Sequence, residues 1–137
     1  MASAGYSGTP LAKKLSLKPG LTVWFADMPD TVRAEIDPAA IGLTELDAPA
    51  PGLDAVHIFV TQRAEMERLL GQLRPLLAPT GFIWVSWPKK ASKVPTDITE
   101  GTIRAVILPA TDLVDVKVCA VDAIWSGLKL MIRKEKR

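Results

Sequence analysis

The stretch that decides the fold is AVHIFVTQRAEMERLLGQLRPLLAPTGFIWVSWPKK, residues 55–90. Residues 55–60 form a short apolar run with β-branched and aromatic side chains and no polar alternation. A run of that kind predicts a strand covered on both faces. Thr61 offers a cap. From about residue 63 to 77 the apolar positions Met66, Leu69, Leu70, Leu73, Leu76 and Leu77 recur at helical spacing. Pro79 and Gly81 end that helix. FIWVS, residues 82–86, is a second buried run, stopped by Pro88. A strand, a helix and a strand in this order predict two parallel strands joined by a right-handed crossover.

Reading outward toward the N-terminus, LTVWFA at 21–26 is another buried strand. Pro29 and Asp30 follow it, and Asp30 can cap a short helix over 31–36. Residues 37–54 are rich in Pro, Gly and Ala and read as loop, with a short edge strand near 43–46. Further upstream, Thr9 and Pro10 have the residue types of a helix N-cap and first helical position. That helix ends at KPG, residues 18–20. In the other direction, Thr96 or Asp97 caps a helix over about 98–109. Residues 113–121 alternate as a half-buried strand, IWSG at 124–127 is a turn, and 128–133 is the last strand. The chain is thus predicted to be an N-terminal arm, 1–8, followed by one α/β domain, 9–137. Its sheet is open and mostly parallel, with a C-terminal antiparallel hairpin. The expected strand order is 22–26, 55–60, 82–86, 128–133, then 113–121 at the edge.

Composition narrows the function classes. Of 137 residues, 48% are apolar and 23% charged, the balance of a folded protein. No apolar run approaches the ~20 residues of a membrane span. The start, MASAGYSGTPLAKK, does not read as a secretory signal. One cysteine, Cys119, allows no internal disulfide and fits a cytoplasmic protein, and with one histidine, His57, it excludes the usual structural zinc sites. A net charge of +2 does not argue for nucleic acid or anionic lipid. The basic residues nevertheless cluster at Lys13 and Lys14, at Lys89, Lys90 and Lys93, and in the tail RKEKR.

Two resemblances attach to these strings. LAKKLSLKPGLTVWFADMP, followed by AVHIFV, a helix, LLAPTGFIWVSWP, a helix and a hairpin, resembles a class I S-adenosylmethionine-dependent methyltransferase. That resemblance implies a Rossmann-like, methyltransferase-like sheet. The family carries a GxGxG loop after its first strand, where this chain has Phe25, Ala26, Asp27, Met28 and Pro29. Its ribose-binding acid at the end of the second strand has only Glu45 or Asp47 as counterparts. AGYSGTPLAKKL, WPKKAS, VPTDIT, VDVKVCAVD and WSGLK are similar to strings of a family of small bacterial proteins known only as a domain of unknown function. That likeness spans the chain and implies a bacterial cytoplasmic protein without implying an activity.

In open α/β sheets, ligands bind beyond the carboxyl ends of the parallel strands. That rule collects Asp27 after the first strand, Thr61, Gln62 and Arg63 after the second, and Trp87, Lys89, Lys90, Ser92 and Lys93 after the third. Asp122, Trp125 and Ser126 join them if 113–121 runs parallel to the others. Trp87 and Trp125, read as loop tryptophans, either line a groove or pack. Ser7 and Thr9 precede a helix N-terminus and have the residue types of an anion-binding curl. His57 is expected to be a satisfied core residue and Cys119 a packed thiol. Asp27 is a base, a ribose ligand or a turn cap. No nucleophile–base pair can be read from spacing. The reading preferred from sequence is therefore a Rossmann-like binding or interaction domain without a cofactor. Its rim lysines would recognise a small anionic ligand or an acidic partner, and S-adenosylmethionine would bind no tighter than about millimolar. The rivals are a divergent methyltransferase and a nucleic-acid-binding domain.

Overall fold

In the computed structural model, which describes residues 10–137, six strands form one sheet. In chain order they are β1 (Thr22–Ala26), β2 (Thr44–Glu45), β3 (Leu53–Phe59), β4 (Leu77–Pro88), β5 (Leu113–Ala120) and β6 (Trp125–Ile132). Their order across the sheet is β2-β1-β3-β4-β6-β5. β2, β1, β3 and β4 run parallel to one another, and β6 runs antiparallel between β4 and β5. This agrees with the strand order expected from sequence, and the short edge strand expected near 43–46 is β2, which the structure sets beside β1.

The helices are α1 (Leu11–Lys14), α2 (Asp30–Ile36), α3 (Pro38–Ile41), α4 (Arg63–Leu73) and α5 (Glu100–Ala110). Alternation along the strands assigns them to opposite faces of the sheet. Val56, Ile58, Val60, Ile83, Val85 and Trp87 pack with Met66, Leu69, Leu70 and Leu73 of α4 and with Ile103 and Ile107 of α5. Ala55, Phe59, Phe82 and Trp84 pack with Leu11 and Leu15 of α1 and with Val32 and Ile36 of α2. Each large side chain so buried contributes about 1.5–3 kcal/mol. The indole N–H of Trp84, only 1% exposed, donates to the carbonyl of Leu15 at 2.9 Å and pins α1 to the sheet.

Several boundaries differ from the sequence reading for local reasons. The helix read to residue 77 ends as α4 at Leu73, with Pro75 in a following 3-10 turn, Arg74–Leu76, and Leu77 already pairs with Leu53 of β3. Pairing then skips to Phe82 opposite Ala55. Neither Thr61 nor Asp97 caps its own helix. Gln62 is the α4 N-cap residue without a side-chain bond, and Asp97 instead accepts from the amide of Arg63 at 2.7 Å. Thr99 caps α5 through a capping box with Thr102. Asp30 is the first residue of α2, whose N-cap is Pro29. The turn expected at 124–127 lies earlier. Asp122 accepts from the amides of Ile124 and Trp125, both at 2.8 Å, so the chain reverses before Trp125.

Candidate functional site

From β1 the chain steps to β2 on one side, then returns to β3 on the other side of β1. The chain therefore leaves the carboxyl ends of β1 and β3 in opposite directions, and crevices form at such switch points. A pocket of about 310 Å³ lies there, lined by Asp27, Phe59, Val60, Thr61, Gln62, Glu65 and Trp125. A larger open groove of about 800 Å³, lined in part by Leu70, Arg74, Leu108, Asp112 and Arg133, lies at the opposite, amino-terminal end of the parallel strands. We place the site at the smaller pocket, because only there do strand carboxyl ends and their loops converge.

The pocket is built on rigid elements. Asp27 follows β1 with φ +55°, a left-handed conformation that glycine adopts freely and that aspartate tolerates better than most residues. It thus supplies the backbone turn that a glycine would make. Phe59 meets Trp125 edge to face at 5.2 Å between centroids and stacks on His57 at 4.2 Å. His57, 2% exposed, has its Nε2 2.7 Å from Oγ of the fully buried Ser86. Burial pushes its pKa down to about 3, so the ring is neutral at physiological pH. The loop after β3 is clamped from behind. The carbonyl of Thr61 accepts from the hydroxyl of Thr96 at 2.6 Å and from the amide of Asp97 at 3.3 Å.

Electrostatically the pocket carries two carboxylates, Asp27 and Glu65, and no lysine. Glu65 is hydrogen-bonded to Arg68 at 2.8 and 2.9 Å, which holds its carboxyl below the usual range. Glu45, at the end of β2, is gripped by the Arg33 guanidinium at 2.7 and 2.8 Å, and that bond lowers its pKa. Aromatic faces and carboxylates around one cavity suit a ligand with a cationic group and flat apolar parts.

Of the residues expected at the site, Asp27 and Trp125 line the pocket. Trp87 is not in a loop. It lies in β4, 8% exposed, and packs in the core beside α4 and α5. Trp125 and Ser126 also lie in a strand, β6, with Ser126 opposite Trp87 and Ala120. The Lys89 amide donates to the carbonyl of Ile124 at 2.7 Å, while Lys90 and Lys93 are exposed beside a 3-10 turn, Lys90–Ser92. The Ser92 hydroxyl is used within that turn, donating to the carbonyl of Lys89 at 2.7 Å. Ser7 and Thr9 lie outside the described residues. Phe59, Val60 and Glu65 escaped the sequence reading. Phe59 and Val60 read only as strand core and Glu65 only as a solvated helix position, and the period-two signal does not say which strand end opens into a crevice. As expected, His57 is packed and hydrogen-bonded, and Cys119 is buried.

No family model matches the chain, and no curated protein matches it by sequence. Solved structures do match. A protein from Sulfolobus solfataricus assigned to the type 11 methyltransferases superposes with a TM-score of 0.65 at 12% identity, over 90% of this chain and 89% of that one. A SAM-dependent methyltransferase from Aquifex aeolicus gives 0.62 at 16% identity, over 89% and 87%. The fibrillarin pre-rRNA processing protein of Methanococcus jannaschii gives 0.53 at 12% identity, over 94% and 71%. At such identities the likeness shows the fold, a Rossmann-like, methyltransferase-like sheet. It also overturns the preferred sequence reading. An anion-recognising domain with lysines as its site is displaced by the methyltransferase alternative, and the pocket at the switch point agrees, since carboxylates rather than lysines line it.

Proposed function

We propose that this chain is a divergent S-adenosylmethionine-dependent methyltransferase whose cofactor occupies the switch-point pocket. The observation that carries the reading is the pocket's position and lining on a methyltransferase-like sheet: Asp27 at the end of β1, Phe59–Gln62 at the end of β3, and Trp125 closing one wall. The residues fit a sulfonium ligand. Asp27 and Glu65 would face its positive charge, Phe59, Val60 and Trp125 its apolar surface, and Thr61 and Gln62 its polar edges. Asp27 at positive φ stands in for the missing glycine. Glu45 would reach a ribose only beside its bond to Arg33. Bound S-adenosylmethionine would supply an electrophilic methyl group on sulfur. The protein's part is to hold that group, screen it from water and orient the acceptor. A small organic ligand, kinship with the bacterial family whose strings the chain shares, and a cytoplasmic location belong to the same proposal. Among the described residues, no helix is long and apolar enough to cross a membrane.

Thermal unfolding with S-adenosylmethionine and S-adenosylhomocysteine tests the reading. A ligand at 100 times its Kd adds about 2.7 kcal/mol. Both compounds are expected to raise the melting temperature by several degrees, with adenosine weaker and phosphate inert. No shift with either compound at millimolar concentration would overturn the proposal.

A further inference from the structure

In the antiparallel ladder of β5 and β6, Lys117 stands directly opposite Lys129. Like charges at opposed positions destabilise a ladder. Among the described residues neither lysine has a carboxylate partner. The ammonium of Lys117 donates to the carbonyl of Lys14 at 3.3 Å, and that of Lys129 to the hydroxyl of Ser16 at 3.0 Å. Lys129 also lies 4.5 Å from the centroid of the Phe82 ring. Ser16 is held at φ +63°, a strained position for serine, just after α1. The end of α1 thus gathers the two ammonium groups onto one face of the sheet. Burial first, and then Lys117 and Lys18, push the Lys129 pKa down.

We propose that this face, formed by Lys117, Lys129 and Lys18 beside α1, binds the phosphodiester backbone of a single-stranded nucleic acid. Lys117 and Lys18 are exposed and Lys129 is half-buried against the Phe82 ring, so their charges meet solvent side by side on the sheet surface. An open surface holds a small anion poorly. A polyanion gains from every contact through counterion release. A membrane fits less well. Val118, 48% exposed, pairs with Leu128 next to Lys117 and so projects from the other face of the sheet, while Val116 sits in the bulge between Asp115 and Lys117.

The test is fluorescence anisotropy of a labelled oligouridylate across a potassium chloride series, with the full chain. Neutralising three or four phosphates on a single strand predicts a log–log salt slope of about −2 to −3. Lys117→Gln with Lys129→Gln should weaken binding at least tenfold at low salt and cut the slope by about 1.4. The melting temperature should be unchanged or higher, because the cross-strand repulsion is gone. Lys134→Gln with Lys136→Gln, in the C-terminal tail, should leave both quantities as they were. Absence of binding at low salt, or a slope the double variant does not change, would overturn the proposal. So would tighter binding to phosphatidylserine vesicles or to polyglutamate than to the oligonucleotide.

Discussion

Asp27 carries two loads that a substitution can separate. It lines the pocket as one of its two acidic residues, and its backbone stands at φ +55°. Asp27→Gly removes the first and relieves the second. A left-handed non-glycine residue costs on the order of 1 kcal/mol. The variant should therefore unfold at a temperature equal to or a few degrees above that of the native chain. Its affinity for S-adenosylmethionine should fall about tenfold, the loss of one charge-assisted contact worth roughly 1.4 kcal/mol. Calorimetry and thermal unfolding on the same preparation check both parts, and an unchanged affinity would remove Asp27 from the site.

His57 makes a second prediction at this scale. Its folded pKa is about 3, depressed by burial from 6.5. The folded state resists protonation while the unfolded chain accepts it. The contribution is thus complete above pH 6.5 and declines as pH falls below it, at up to about 1.4 kcal/mol per unit. Urea unfolding between pH 7 and 4.5 should show this decline, and His57→Gln should flatten it. The carboxylates held low by arginines, Asp112 by Arg74 among them, add their own loss only at lower pH.

At the scale of elements, β4 is where pattern reading and structure part company. The sequence places a helix end near Leu77 and a strand from Phe82, and both are half right. Leu77 pairs with Leu53, the chain bulges, and pairing resumes at Phe82. Gly81 makes that possible. A Cβ there would stand 2.7 Å from the carbonyl oxygen of Leu53 and 2.9 Å from a methyl carbon of Leu77. Gly81→Ala should cost about 1–3 kcal/mol, since backbone must move to admit one methyl group. Thr99→Ala, which removes the α5 cap, should cost about 1 kcal/mol. Equilibrium unfolding measures both. A neutral Gly81→Ala would mean that the bulge is pliant. The strands and their order were legible because apolar runs and alternation have periods that a sequence displays directly. The helix caps were not, because Thr96, Asp97 and Thr99 are all cap-type residues, and which one is used depends on contacts with the loop after β3.

At the scale of the whole molecule, net charge proved a poor guide to where charge acts. A chain at +2 keeps several of its carboxylates in arginine pairs, such as Arg74 with Asp112 and Arg104 with Asp115, and leaves Lys117 and Lys129 to face each other. That juxtaposition arises from register, which residue counts cannot show. The carboxyl-rim rule pointed from sequence to the rim where the proposed pocket opens, and Asp27 and Trp125 are among that pocket's lining residues. It ranked the lysines of the β4 loop above the β3 end, where the pocket opens without a lysine, because residue type was weighed without the switch point.

The account rests on a cofactor at that crevice, and amide chemical-shift mapping with S-adenosylhomocysteine addresses it most directly. Saturable shifts should concentrate at Asp27, Phe59–Gln62, Glu65 and Trp125, with the indole N–H of Trp125 among the largest. Gly71, Thr111 and Arg133, at the far groove, should stay still. No saturable shift at the β1 and β3 ends, or shifts confined to the far groove, would contradict it.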